Sequence, residues 1–167
     1  MLLAHFGLAI FVIGVTMVKG YESEQDITMK IGETVNIHGY DFRFDGAKPV
    51  KGPNYLSKQG VFYISKNGHE VTTLTPEKRY YPVQQATMTE ASIAVGITRD
   101  LYISLGEALD GGAWSVRIYI KPFVQWIWLG AVLMALGGIL TLIDKRYRKP
   151  RSQSSQVGIS QAGAYEA

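Results

Sequence analysis

The sequence predicts a membrane protein in which two transmembrane helices flank a small all-β domain of sandwich or barrel type. Three observations carry this. Residues 1–18 and 122–143 contain no Asp, Glu, Lys or Arg, and 14 of the first 18 residues are Ala, Val, Ile, Leu, Met or Phe. The intervening 19–121 alternates apolar and polar residues in short runs, and those runs are punctuated by turn-forming residues. A mean hydropathy of +0.04 averages these regions and conceals them.

The first span, 1–18, approaches the roughly 20 apolar residues needed to cross a bilayer. It lacks a basic residue ahead of its apolar run, and Val15 to Gly20 offers no small-residue cleavage site, so it is expected to remain as an anchor and not to be removed as a signal peptide. Ala4, Gly7 and Gly14 form a small-residue face, matched by Ala131, Ala135 and Gly138 in the second span; such faces let helices approach closely in lipid. His5 stands out because an ionisable ring at membrane depth is costly. At 1.5 Å per residue it lies roughly 20 Å along the helix from Lys19, in the inner half of the bilayer if 1–18 spans. Either it serves a function with a partner inside a helix bundle, or it sits at the cytoplasmic interface of an anchoring helix.

Between the spans, strands are expected at Ile27–Ile31, Thr34–His38, Tyr40–Phe44, Val61–Ser65, Glu70–Leu74, Leu101–Leu105 and Trp114–Ile120, within a total of about seven to nine. Asn67-Gly68 is a favoured pair for a type I′ turn between two of them. Thr89–Ala94 reads as one helical turn. The domain carries 12 Lys/Arg against 12 Asp/Glu and no Cys, which leaves neither a disulfide framework nor a thiolate metal site.

The second span, 122–143, opens with Phe123, Trp126 and Trp128, rings suited to the headgroup level, and Tyr147 marks the other interface. The tail, 144–167, holds Lys145, Arg146, Arg148, Lys149 and Arg151 against Asp144 and Glu166 and accounts for the net charge of +3. Its basic cluster places the C-terminus in the cytoplasm and the central domain on the outer side. Beyond Arg151 its Ser, Gln, Gly and Ala content predicts disorder. A pI near 9.0 that comes from such a tail gives no reason to expect nucleic acid as a partner.

His38 and His69 lie at turns or strand ends without a second ligand at metal spacing, and no H-E-x-x-H, C-x-x-C, G-x-S-x-G or phosphate-binding glycine loop occurs. The most distinctive stretch is Glu77-Lys78-Arg79-Tyr80-Tyr81-Pro82-Val83. Its Lys78, Arg79, Tyr80 and Tyr81 would suit an acidic, aromatic ligand or a partner chain, or else form a half-exposed strand with local ion pairs.

That stretch, with Met88–Ala91, Gly96–Tyr102, Gly112–Arg117 and Lys121–Trp128, resembles the C-terminal part of the CcmF/NrfE family, haem lyase components of cytochrome c-type biogenesis. The likeness runs from about residue 3 to 148. It implies the last two spans and the periplasmic domain of a large inner-membrane protein, without the tryptophan-rich WWD segment and its flanking histidines. It further implies that His5, in Ala4-His5-Phe6-Gly7, is an axial ligand of a haem b whose second histidine lies outside this chain, and that Lys78, Arg79, Tyr80 and Tyr81 form a candidate docking patch. The implied partners are the N-terminal part of CcmF, the haem chaperone CcmE, CcmH-type subunits and an apocytochrome c, all within membrane lipid. Lacking the WWD region, the chain is not expected to be an enzyme alone. It reads as a truncated product, favoured by a Met1 inside an apolar helix, or as a piece of a split protein. A different class of function, a two-span anchored scaffold that never meets haem, remains open on the residues alone.

Overall fold

The computed structural model describes residues 2–143. Helix α1 (Leu2–Tyr21) leads into β1 (Ser23–Met29), β2 (Thr34–Ile37), β3 (Tyr40–Lys51), β4 (Leu56–Lys66), β5 (His69–Leu74), β6 (Glu77–Tyr81), β7 (Ala86–Glu90), β8 (Ser92–Ala94), β9 (Arg99–Ala108) and β10 (Trp114–Pro122), and the chain closes on α2 (Val124–Ile143). At 20 residues each, the helices are about 30 Å long, and both are long and apolar enough to cross a membrane. The expected tail, with Tyr147 at an interface and disorder beyond Arg151, lies outside the described residues.

The strands form two antiparallel sheets. One has the order β1-β10-β9-β8; the other has the order β2-β3-β4-β6-β7, with β5 also on β4. β5 and β6 lie end to end along one edge of β4, and the Gly60 amide donates to the Pro76 carbonyl across the break (2.8 Å). Period-two alternation supplies the core: Tyr40, Phe42 and Phe44 from β3, Phe62 and Ile64 from β4, Leu101, Ile103 and Leu105 from β9, and Val116 and Ile118 from β10. Phe44 and Phe62 stack with centroids 4.8 Å apart. Asn67 and Gly68 both have positive φ (52° and 77°), as the expected type I′ turn demands. His38 and Gly39 repeat that arrangement between β2 and β3 (φ 50° and 78°), a hairpin that lacks the Asn-Gly signal.

Among the described residues ten strands form where about seven to nine are expected. The helical turn expected over Thr89–Ala94 is instead the end of β7 followed by β8. Thr89 and Glu90 pair with Lys78 and Glu77 in one sheet, and Ser92 to Ala94 pair with Leu101 to Ile103 in the other. Backbone pairing in two sheets overrides a weak local preference for a turn.

The outer face of β1 and β10 is laced by charge. Arg117 donates from two nitrogens to both oxygens of Asp26 (2.5 and 2.8 Å), and the Tyr119 hydroxyl donates to Glu24 (2.7 Å). Each pair is directly opposed in register, the arrangement in which cross-strand side chains stabilise a ladder.

The helices pack antiparallel through glycine. A Cβ placed on Gly7 would lie 2.7 Å from the Met134 amide nitrogen and 2.8 Å from the Gly130 carbonyl oxygen; one on Gly130 would lie 2.6 Å from the Phe11 nitrogen, and one on Gly137 2.6 Å from the Ala4 nitrogen. Gly14 faces Ile127 at 2.9 Å. Ala4, Gly7 and Gly14 therefore hold the face expected of α1. On α2 the expectation is corrected: Ala135 and Gly138 are exposed, Ala131 only borders the contact, and the seam is Gly130 and Gly137. A spacing of seven on both helices keeps one seam in register along antiparallel neighbours; Ala131 and Gly138 share that spacing, but they lie one residue around the helix from the line that meets Ala4, Gly7 and Phe11. Gly7→Val is accordingly expected to destabilise the helix pair by about 1–3 kcal/mol through overpacking. Gly138→Val, with no atom within 4 Å of its added carbon, should change stability by less than about 0.5 kcal/mol. Denaturant unfolding of both variants in micelles reads the difference.

Candidate functional site

His5 lies two residues before Gly7, roughly 200° around the helix from the glycine seam, and its side chain is exposed on the face of α1 turned away from α2. His38 sits in the β2–β3 turn and His69 begins β5. Among the described residues no group of three His, Cys, Asp or Glu is placed to hold a metal ion.

The four residues of β6 singled out by sequence separate onto two faces, because successive strand residues point to opposite sides. Arg79 and Tyr81 share the outer face. The Arg79 guanidinium donates to Glu77 (2.9 Å), approaches Glu90 at 3.3 Å and lies 4.6 Å from the centre of the Tyr55 ring, which in turn contacts Tyr81 at 5.6 Å. Glu77 and Glu90 are directly opposed across β6 and β7, a destabilising pair of like charges that Arg79 neutralises by bridging both. Gln59 donates to the remaining Glu77 oxygen (2.9 Å). Arg79 is thus consumed as a brace of its own sheet.

Lys78 and Tyr80 face the other way, into a groove of about 650 Å³ between the sheets at the end of the sandwich remote from the helices. Leu56, Tyr80 and Trp114 line it, and Lys51, Lys58 and Lys78 ring it. Lys78 pairs with Glu107 of the opposite sheet, and Lys58 Nζ lies 5.2 Å above the Trp114 ring. Leu56 and Tyr80 are half exposed, at 51% and 42%. The groove can therefore accept an apolar side chain beside an acidic group. Lys51, Leu56, Lys58 and Glu107 are members that sequence reasoning misses, and Trp114 carries a signal as the first residue of a clearly alternating strand.

The match to the family described as CcmF C-terminal beta-sandwich covers residues 20–122. The cytochrome c-type biogenesis protein CcmF of Pseudomonas aeruginosa is 53% identical over 148 residues, that of Escherichia coli 50% over 149, and the protein NrfE of Haemophilus influenzae 32% over 151. These alignments take in 89%, 89% and 90% of this chain but 22%, 23% and 24% of the relatives, so the chain spans under a quarter of their length. A solved structure named cytochrome c heme lyase CcmF shares the fold, with a TM-score of 0.70 at 19% identity over 86% of this chain and 24% of that one.

The brace has a pH signature. The hydrogen bond from Arg79, outweighing burial, and that from Gln59 hold the Glu77 carboxyl below its ordinary value of 4.5. A depressed carboxylate contributes its stabilisation in full above that value and loses it as pH falls through the folded one. Arg79→Met should cost roughly 1–3 kcal/mol at neutral pH, with a smaller further loss on acidification than the parent shows. Melting temperatures at about pH 6 and about pH 3 check this; an acid response unchanged by the substitution would contradict it.

Proposed function

This chain belongs to the CcmF family of cytochrome c-type biogenesis proteins, and from that premise we propose that it serves as the C-terminal portion of a haem lyase component, supplying one axial ligand, His5, to an intramembrane haem b and a docking domain outside the membrane. The observation that carries the reading is the placement of His5. The glycine seam turns it away from α2, onto the opposite face of α1.

The donor chemistry fits haem for one axial position. A neutral imidazole can ligate haem iron through one nitrogen, and a hydrogen bond to the other would fix its tautomer and orientation. A single histidine fills one position, and the second belongs to the N-terminal part of CcmF, within the three quarters of the relatives' length that this chain does not span. When bound, such a haem supplies one-electron transfer that keeps the haem passed to an apocytochrome reduced. The chain's own residues position: the seam sets the rotation of α1, and the distal groove with Lys78 and Tyr80 receives a partner. Arg79 and Tyr81 serve that docking by holding β6 in place. The haem chaperone CcmE, CcmH-type subunits and apocytochrome c are the partners this reading supplies.

The same reading places both termini in the cytoplasm and the sandwich in the periplasm of a bacterial inner membrane, from the basic residues at 145–151. A reporter enzyme active only in the periplasm should work when inserted at Gly111-Gly112, in the distal turn, and stay silent when fused after Arg151; the opposite pattern refutes the orientation.

Co-expressed with the preceding portion of a CcmF relative, the chain should yield a low-spin b-type absorption spectrum. His5→Ala should reduce or abolish it, whereas His38→Ala and His69→Ala should leave it intact. A full low-spin signal with alanine at position 5 would reject the ligand assignment.

A further inference from the structure

At the opposite end of the sandwich, a second pocket of about 370 Å³ opens where the domain meets the helices. Tyr21, the last residue of α1, and Phe123, the residue before α2, form part of its wall, with Tyr40, Lys66 and Arg99 facing them. The chain around it is tied to the start of α2: the Phe123 amide donates to the Thr98 carbonyl (3.0 Å), and the Trp126 indole nitrogen donates to the Ile97 carbonyl (3.1 Å). Val95 and Ile97, beside those bonds, are 67% and 80% exposed. Apolar side chains standing out beside the first turn of a membrane span, with Tyr21, Phe123 and Trp126 around them, place this end of the domain at headgroup level.

The pocket concentrates positive charge without a counter-charge. Lys66 Nζ donates to the Tyr40 hydroxyl oxygen (3.0 Å), and the Arg99 guanidinium donates to the same atom. Both cations also lie over the Tyr40 ring, 4.5 and 4.0 Å from its centre. Among the described residues Lys66 and Arg99 form no salt bridge, whereas Arg43, Lys78, Arg79 and Arg117 each pair with a carboxylate. The nearest acidic neighbour in sequence, Asp100, is buried and engaged elsewhere, accepting from the Gly96 amide (2.9 Å) and the Gln125 side chain (3.3 Å). His38, in the adjoining turn, adds a further polar group to the wall. The phenol itself registers the charge: burial raises its pKa, but the hydrogen bonds and charges of Lys66 and Arg99 outweigh burial and hold it below the usual tyrosine value. Two full positive charges converging on a neutral oxygen describe a site arranged for an anion.

We propose that Lys66, Arg99 and Tyr40 bind the phosphate of an anionic phospholipid headgroup in the outer leaflet, while Val95 and Ile97 seat among its acyl chains. A headgroup that carries an ammonium would bring a third positive charge toward the two already present, so the site selects net-negative lipids such as phosphatidylglycerol over phosphatidylcholine. Free phosphate offers the same oxygens but nothing for the apolar loop. The inference depends on the helices spanning a membrane and is independent of His5 and haem.

The test uses the full chain in detergent micelles, titrated with dioleoyl phosphatidylglycerol, dioleoyl phosphatidylcholine or inorganic phosphate and read by native mass spectrometry. Phosphatidylglycerol should be retained in preference to phosphatidylcholine, and Lys66→Gln and Arg99→Gln should each weaken its retention roughly fivefold, their combination more, while Lys66→Arg preserves it. Should the double variant fail to fold by circular dichroism, Lys66→Gln alone decides, since its side chain is exposed at the mouth. Equal retention of both lipids, or retention of phosphatidylglycerol unchanged by Lys66→Gln, would overturn the site. Inorganic phosphate binding as tightly as the lipid would overturn the assignment to a headgroup.

Discussion

The antiparallel pairing of β1 with β10 is the constraint on which the remaining geometry depends. α1 ends at Tyr21 and β1 begins at Ser23; β10 ends at Pro122 and α2 begins at Val124. Ser23 is paired with Ile120, so the two helices leave neighbouring strands almost without a linker. Paired strands stand about 4.8 Å apart, whereas helices with ordinary side chains at their contact stand about 8–10 Å apart. Helices rising from one ladder are forced into close approach, and only residues without a side chain at the contact permit it. Gly7, Gly14, Gly130 and Gly137 answer that requirement, and the Arg117–Asp26 and Tyr119–Glu24 pairs hold the ladder from outside. Phe123 absorbs the change of direction with a left-handed backbone (φ 56°), fixed by the hydrogen bond that its amide donates to the Thr98 carbonyl.

This junction sorts the molecule's chemistry by position. The sandwich has a helix end and a remote end, and each is cationic in a different way. At the remote groove Lys78 is paired across the sheets with Glu107, so its charge links the layers and shapes an opening around Trp114. At the helix end the Lys66 and Arg99 side chains meet, among the described residues, a phenol as their hydrogen-bonding partner and no carboxylate. A neutral sum of 12 basic and 12 acidic residues over 19–121 therefore coexists with a local excess of charge where phosphate groups of a bilayer would lie.

Much of the core is legible in the sequence because burial on one face imposes a period of two: the alternation alone marks Tyr40, Phe42 and Phe44 in one sheet and Val116, Ile118 and Ile120 in the other as inward residues. The strands β7 and β8 are not legible in this way: both lie at sheet edges, β7 with four of its five residues exposed and β8 only three residues long, too little for an alternation to register. The same period sorts Lys78, Arg79, Tyr80 and Tyr81 onto two faces: neighbours in a strand point to opposite sides, so Lys78 and Tyr80 line the groove while Arg79 and Tyr81 lie on the outer face. For the helices, two small-residue faces on α2 are consistent with helical spacing, and the choice between them requires the partner's register. The meeting of Tyr40, Lys66 and Arg99 depends on contacts across 26 and 59 residues of chain, which no local pattern encodes.

A tight junction also has a consequence for how the two ends of this chain work together. Domains joined to membrane helices by free linkers transmit little orientation. Here Glu22 alone separates α1 from β1, Phe123 alone separates β10 from α2, and the Trp126 indole is anchored on the loop before β9. The rotation of α1, and with it the direction in which His5 faces, follows from the strand ladder through the glycine seam. The remote groove is likewise attached through β9 and β10 to the same packed body that orients the histidine. Bulk added to the seam would act on the rotation of α1 without touching His5 or the groove, which makes the four glycines determinants of the direction in which that histidine faces.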